Sequence, residues 1–129
     1  MSKEELKRKF IVSIDVLKER LEPLVTKALD HCVVADNGTV HVTSKHLGPK
    51  DRIRLVLAAR SLAAQLTDDM SPEVSVRDLV SSTGIPENQI RARANELVKE
   101  RFATSAKRGL YVANPHRIEP FLGSLSRQG

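Results

Sequence analysis

The stretch EVSVRDLVSSTGIPENQIRARANELVKERFATSAKRGLYVANP, Glu73 to Pro115, decides the fold. EVSV reads as a short strand. In RDLVSSTG, Val76, Leu79 and Val80 are spaced for one face of a short helix, and Gly84 stops it, because glycine takes the left-handed conformation at least cost. Ile85 then seats in the core. Pro86 opens a second helix, PENQIRARANELVKERF, with Ile90, Ala94, Leu97 and Val98 on one face. FATSAKRGLYVAN reads as two strands, Phe102–Ser105 and Leu110–Ala113, joined by a turn around Lys107-Arg108-Gly109.

Upstream, PKDRIRLVLAARSLAAQL from Pro49 is apolar over more than half its circumference, as expected of a helix central to a core. Before it, CVVADNGTVHV places two β-prone runs around Asn37-Gly38, which predicts a hairpin with a type I′ turn and a structural role. Residues 3 to about 30 read as helix, with Phe10, Ile14, Leu17, Leu21, Leu24 and Ala28 at heptad intervals. Pro23 predicts either a kink or a second helix starting there. The apolar stripe suits packing on the protein's own core or a dimer seam. After Pro115, NPHRIEPFLGSL reads as a turn or short helix, with Ile118, Phe121 and Leu122 folding back.

From Pro49 the order is helix, strand, helix, tight turn, helix, hairpin. The chain here resembles the winged helix-turn-helix family of nucleic-acid-binding domains. The matching residues are Leu79 and Val80, the STGIP turn with Gly84 and Ile85, Ile90 and Leu97, and the basic tip at Lys107-Arg108. Arg101 departs from the pattern, standing where many members carry glycine. The expected architecture is α+β and mostly helical: residues 1–48 a helix and hairpin, 49–115 a winged helix-turn-helix, and 116–129 a tail or short helix.

Charge placement points the same way. The formal net charge is +5. Between Gln89 and Arg117 lie seven bases against Glu96 and Glu100, while the remaining residues hold fourteen bases and fourteen acids. Such asymmetry is the footprint of a phosphate-facing surface. With Ile90, Ala94 and Leu97 inward, Asn88, Ala92, Asn95 and Lys99 face outward at 100° per residue, flanked by Arg91 and Arg93. Ala92 lets the backbone approach a major groove. Asn88, Gln89 and Asn95 suit base edges, and Arg91 suits guanine or phosphate. Lys107 and Arg108 suit backbone phosphates or a minor groove. Glu96 and Glu100 oppose this unless they pair with Lys99, Arg101 or Arg93.

Other chemistry is weak. Aromatics are 3% of residues, too few for the stacking platforms of single-strand readers. Cys32, the single cysteine, excludes an internal disulfide, fits a reducing cytoplasm, and lacks a nucleophile's partners. His31, Cys32, His41 and His46 fit no standard zinc spacing. Asp68-Asp69 reads as a solvated loop pair, and no glycine-rich phosphate cradle is present. Neither a signal peptide nor a membrane span is expected. The expected function is therefore non-enzymatic, without metal or cofactor: a cytoplasmic, dimeric, sequence-specific double-stranded DNA-binding transcription regulator. The alternative is a winged-helix assembly module of a ribonucleoprotein or a transcription or replication complex, contacting structured RNA or an acidic protein. The short, mixed-sign ends tilt toward DNA.

Overall fold

A computed structural model describes residues 2–10 and 14–128. The chain is α+β and mostly helical. Its elements are α1 (Lys3–Phe10), α2 (Ile14–Leu29), β1 (Cys32–Val34), β2 (Val40–Val42), α3 (Pro49–Leu66), β3 (Val74–Ser75), α4 (Val76–Thr83), α5 (Glu87–Lys99), β4 (Ala103–Lys107), β5 (Leu110–Ala113) and α6 (Pro115–Gln128).

The wide apolar face of α3 makes it the hub. Ile53, Leu55, Val56, Leu57 and Ala58 are fully buried, and the helix packs against α2, α4, α5, α6, β5 and the first hairpin. Pro49 sits in its first turn, where a missing N–H is harmless. Pro23 lies inside α2, so no second helix starts there. Leu21 and Ala28 are buried and Leu24 packs beside them, so this half of the heptad stripe serves the protein's own core. The expected seam positions Ile14 and Leu17 fall where side chains lie outside the description. Of the two forms expected after Pro115, a tail or a short helix, the segment takes the helical one, over fourteen residues. It seats Ile118, Leu122 and Leu125 in the core and sets Phe121 edge-on to Phe102 at 5.4 Å.

The hairpin of β1 and β2 pairs Cys32 with Val42 and Val34 with Val40. Its turn differs from type I′, because Gly38 has positive φ (90°) and Asn37 does not. Gly38 N–H donates to Ala35 carbonyl (2.9 Å) and Ala35 N–H to Thr39 carbonyl (2.8 Å), the pattern of a turn closed by a glycine bulge. Asn37 instead uses its side-chain oxygen to accept from Thr39 N–H at 3.0 Å, holding the loop without a left-handed backbone.

Arg60, 9% exposed, is enclosed beneath this turn. Its guanidinium donates to the carbonyls of Gly38 (3.2 Å), Ser71 (3.0 Å) and Glu73 (3.2 Å), and lies 3.7 Å from the Asp78 carboxylate. A buried cation is tolerable only when so fully partnered. One side chain thus ties the first hairpin, the α3–β3 loop and the start of α4 together.

The second sheet has the order β3-β5-β4, all antiparallel, with Val74 opposite Tyr111 and Ala103 opposite Ala113. β4 continues past the expected Ser105 to Lys107, through a register shift between Thr104 and Lys107. Ser75 and Asp78 close a capping box at the start of α4 (3.0 and 3.4 Å). At its end Gly84 adopts φ 73°, as its position in the sequence requires. Thr83 and Arg52 then fix the turn into α5: Thr83 hydroxyl accepts from Ile85 N–H (3.2 Å), and Arg52 donates to Thr83 carbonyl (2.9 Å).

Candidate nucleic-acid interface

α5 spans Glu87–Lys99, shorter than the expected PENQIRARANELVKERF of 86–102, with Pro86 as its N-cap. Ile90, Ala94 and Leu97 are fully buried, and Asn88, Ala92, Asn95 and Lys99 are exposed, as the helical period demands. The helix ends in a Schellman pattern: Phe102 N–H donates to Leu97 carbonyl (3.0 Å) and Arg101 N–H to Val98 carbonyl (3.1 Å). Arg101 takes the left-handed residue's place with φ 66°, the only non-glycine among the described residues with positive φ. The position keeps the geometry that a glycine would favour there, and Asn114 secures it by donating to Arg101 carbonyl at 3.0 Å.

The second hairpin lies beside this helix. Beyond Ala103, β4 is exposed through Lys107, and Arg108 is exposed at the turn. Gly109, with φ 78°, carries the turn and accepts from Val76 N–H at 3.2 Å, which anchors the hairpin tip to the start of α4. Tyr111 hydroxyl reaches Asn95 Oδ1 across 3.5 Å, placing Asn95 on the hairpin side of α5. Asn88 turns its oxygen to Gln89 N–H at 3.0 Å.

The two arginines flanking the outer strip face different neighbours. Arg91 pairs with Glu87 (3.0 Å) and lines a groove with Arg77, Val80 and Gly109, between α4, α5 and the hairpin tip. Arg93 pairs with Glu96 at 2.6 Å on the α3 side. Arg77, exposed in the first turn of α4, extends the basic surface toward the hairpin. Sequence reasoning missed it because it lies outside the basic run and joins it only through the fold.

The acids are also placed by tertiary contacts. Glu96 is held by Arg93 and by Lys50, 3.4 Å away; Glu100 is held by Lys50 and by Arg54 (3.1 Å). Neither meets Lys99 or Arg101. Desolvation works upward on the Glu96 carboxyl, but hydrogen bonds from Arg93 and Lys50 outweigh it and hold it below the usual range. For Glu100 the hydrogen bond from Lys50, supported by Arg54, lowers it against desolvation. Lys50 and Arg54 lie 50 and 46 residues from Glu100, so no local spacing reveals them.

The charge tally sharpens accordingly. Arg117 belongs to α6, and Glu87 to α5, so the helix and hairpin from Glu87 to Ala113 carry six bases and three acids. All three acids are engaged: Glu87 by Arg91, the other two as described. Among the described residues no carboxylate pairs with Lys99, Arg101, Lys107 or Arg108.

Phe102, Tyr111 and Phe121 are buried, so no phenyl or phenol ring of the hairpin or α6 offers a stacking face. Burial pushes the Cys32 thiol up to about 11, which favours its protonated form at neutral pH. His31 Nδ1 lies 2.6 Å from the Ser44 hydroxyl, and His41 and His46 are exposed. Among the described residues no three His, Cys, Asp or Glu side chains are grouped to hold a metal ion. No described helix is long and apolar enough to cross a membrane. Compared with known protein families, with curated proteins and with solved structures, the chain matches none.

Proposed function

We propose that this chain is a winged helix-turn-helix protein that binds double-stranded DNA sequence-specifically, as a small transcription regulator acting as a dimer. The order α3–β3–α4–α5–β4–β5, with β5 between β3 and β4, supports the fold assignment. α5 enters the major groove, the Lys107-Arg108 tip takes backbone phosphate, and residues 1–30 pair the subunits over two half-sites about one helical turn apart.

The observation that carries this reading is the capture of Glu96 and Glu100 by Lys50 and Arg54. Acids on a groove-facing helix repel phosphate. Drawn onto α3, they leave the strip Asn88, Ala92, Asn95 and Lys99 without an acid, with amides for base edges and lysine for phosphate. Burial of the hairpin's aromatic residues favours duplex over single strands.

Binding to mixed-sequence duplex DNA across a salt series tests it. Lys107→Ala and Arg108→Ala should each lower the slope of log affinity against log salt by about one. An unchanged slope in both variants, or a flat salt dependence of the parent, sinks the assignment. Duplex RNA in the same series should bind more weakly, since its deep, narrow major groove does not admit a helix.

A further inference from the structure

A second pair of surfaces lies uncovered among the described residues. An apolar cleft of about 290 Å³ opens between the end of α2, β1 and the end of α3. Leu29, Val33 and Leu66 stand exposed around it at 59%, 47% and 62%. Such clustered aliphatic exposure marks an interaction surface more often than idle surface. Among the described residues the other large exposed apolar side chains, Leu6 and Phe10, belong to α1, at 52% and 89% exposure. They are four residues apart, on one face of a helix whose described side chains are all exposed.

The charges of the two surfaces are complementary. The α1 segment KEELKRKF carries four bases and two acids. Asp30, Asp36, Asp68 and Asp69, all exposed, stand within two positions of cleft residues. The bases equally near are Lys27 and Arg60, and Arg60 is buried in its own carbonyl contacts.

Within one chain α1 leaves Leu6 and Phe10 exposed and the cleft uncovered. The opposite charges of the two surfaces suit α1 of another copy.

We propose that α1 of a second copy occupies this cleft, seating Leu6 and Phe10 on Leu29, Val33 and Leu66 and setting its bases against the four aspartates. In a two-fold dimer the exchange is reciprocal. The inference deepens the dimer in the proposed function and rests on that part of it alone, since the exchange needs no nucleic acid.

Analytical ultracentrifugation of the full chain without nucleic acid tests it. The parent, Phe10→Asp, Leu66→Asp and an equimolar mixture of the two variants are compared. The parent should dimerise, and each variant should dissociate at least about tenfold more readily, as expected when an interface anchor is lost. The mixture should regain dimer, because one intact helix and one intact cleft then meet. Both side chains are exposed in the monomer, so circular dichroism and melting should match the parent. A parent that stays monomeric, a dimer indifferent to both substitutions, or a mixture that stays monomeric overturns the proposal. The duplex salt series on a single half-site, run on the same samples, registers failure of the nucleic-acid reading separately.

Discussion

Both hairpins turn on a glycine with positive φ, Gly38 at 90° and Gly109 at 78°, yet their surroundings are opposite. A Cβ on Gly38 would stand 3.1 Å from the Arg60 guanidinium, and Val40 N–H donates to the Ser82 hydroxyl at 3.1 Å. A Cβ on Gly109 would meet nothing within 4 Å, and β4 beyond Ala103 is exposed. The first hairpin is a lid over a buried cation. The second projects bases outward while its inner side packs on α3, α5 and β3. The same turn chemistry therefore serves internal closure in one place and outward presentation in the other, and only the neighbour across the turn distinguishes them.

The sharpest way to break this contrast is to remove the cation under the first turn. Arg60→Ala leaves the carbonyls of Gly38, Ser71 and Glu73 without their shared donor and should cost about 3 kcal/mol or more. Urea unfolding with an unchanged m-value would register it; a loss under about 1 kcal/mol would contradict the linking role. Arg60→Lys should recover little, since one ammonium cannot span the three carbonyls.

Glycine substitutions come next. Gly109→Ala should cost about 1–2 kcal/mol from the left-handed backbone alone. Gly38→Ala should cost more, because the guanidinium must also shift. Equal losses in the two melts would show that the lid tolerates displacement and erase the distinction.

Arg101→Gly carries the opposite sign. Relief of the left-handed arginine should stabilise the chain by about 0.5–1 kcal/mol while weakening duplex binding by removing a base. Stabilisation with unchanged affinity would take Arg101 off the proposed nucleic-acid surface.

The smallest effect on stability is the pH response of the paired acids. Glu96 and Glu100 titrate below their ordinary value of 4.5, so the stability they add is present above that value and lost as pH falls through their lowered pKa values. The stability gap between the parent and the double variant Glu96→Gln/Glu100→Gln should therefore narrow as a denaturation series descends from pH 7 to pH 3. The same variant frees Lys50 and Arg93, while Arg54 keeps Asp51 at 2.6 Å, and should steepen the salt slope of duplex binding; an unchanged slope would argue that the two freed cations do not reach phosphate.

Much of this was legible in the sequence. Gly84 is a left-handed cap wherever a short apolar-faced helix must stop before Ile85, and Ile90, Ala94 and Leu97 can share only one face of a helix. The exposure of Asn88, Lys99, Lys107 and Arg108 follows from the same period and from the Lys107-Arg108-Gly109 turn. The Asn-Gly pair promised a different turn from the one formed, because a five-residue loop lets Gly38 alone take the positive φ. Arg77, Lys50 and Arg54 escaped, since each joins the basic surface from another element.

Local pattern by itself determined the element order from Pro49 to Ala113, the inner faces of α3, α4 and α5 and the glycines at Gly84 and Gly109, because backbone sterics and burial act over a few residues. Tertiary structure alone decided which charges remain free. Whether Glu96 and Glu100 meet α3, whether Arg60 is enclosed, and whether half of the heptad stripe is spent on the core depend on side chains brought together across tens of residues. Electrostatic partnership is set by distances of a few ångströms in space, which spacing along a chain does not encode.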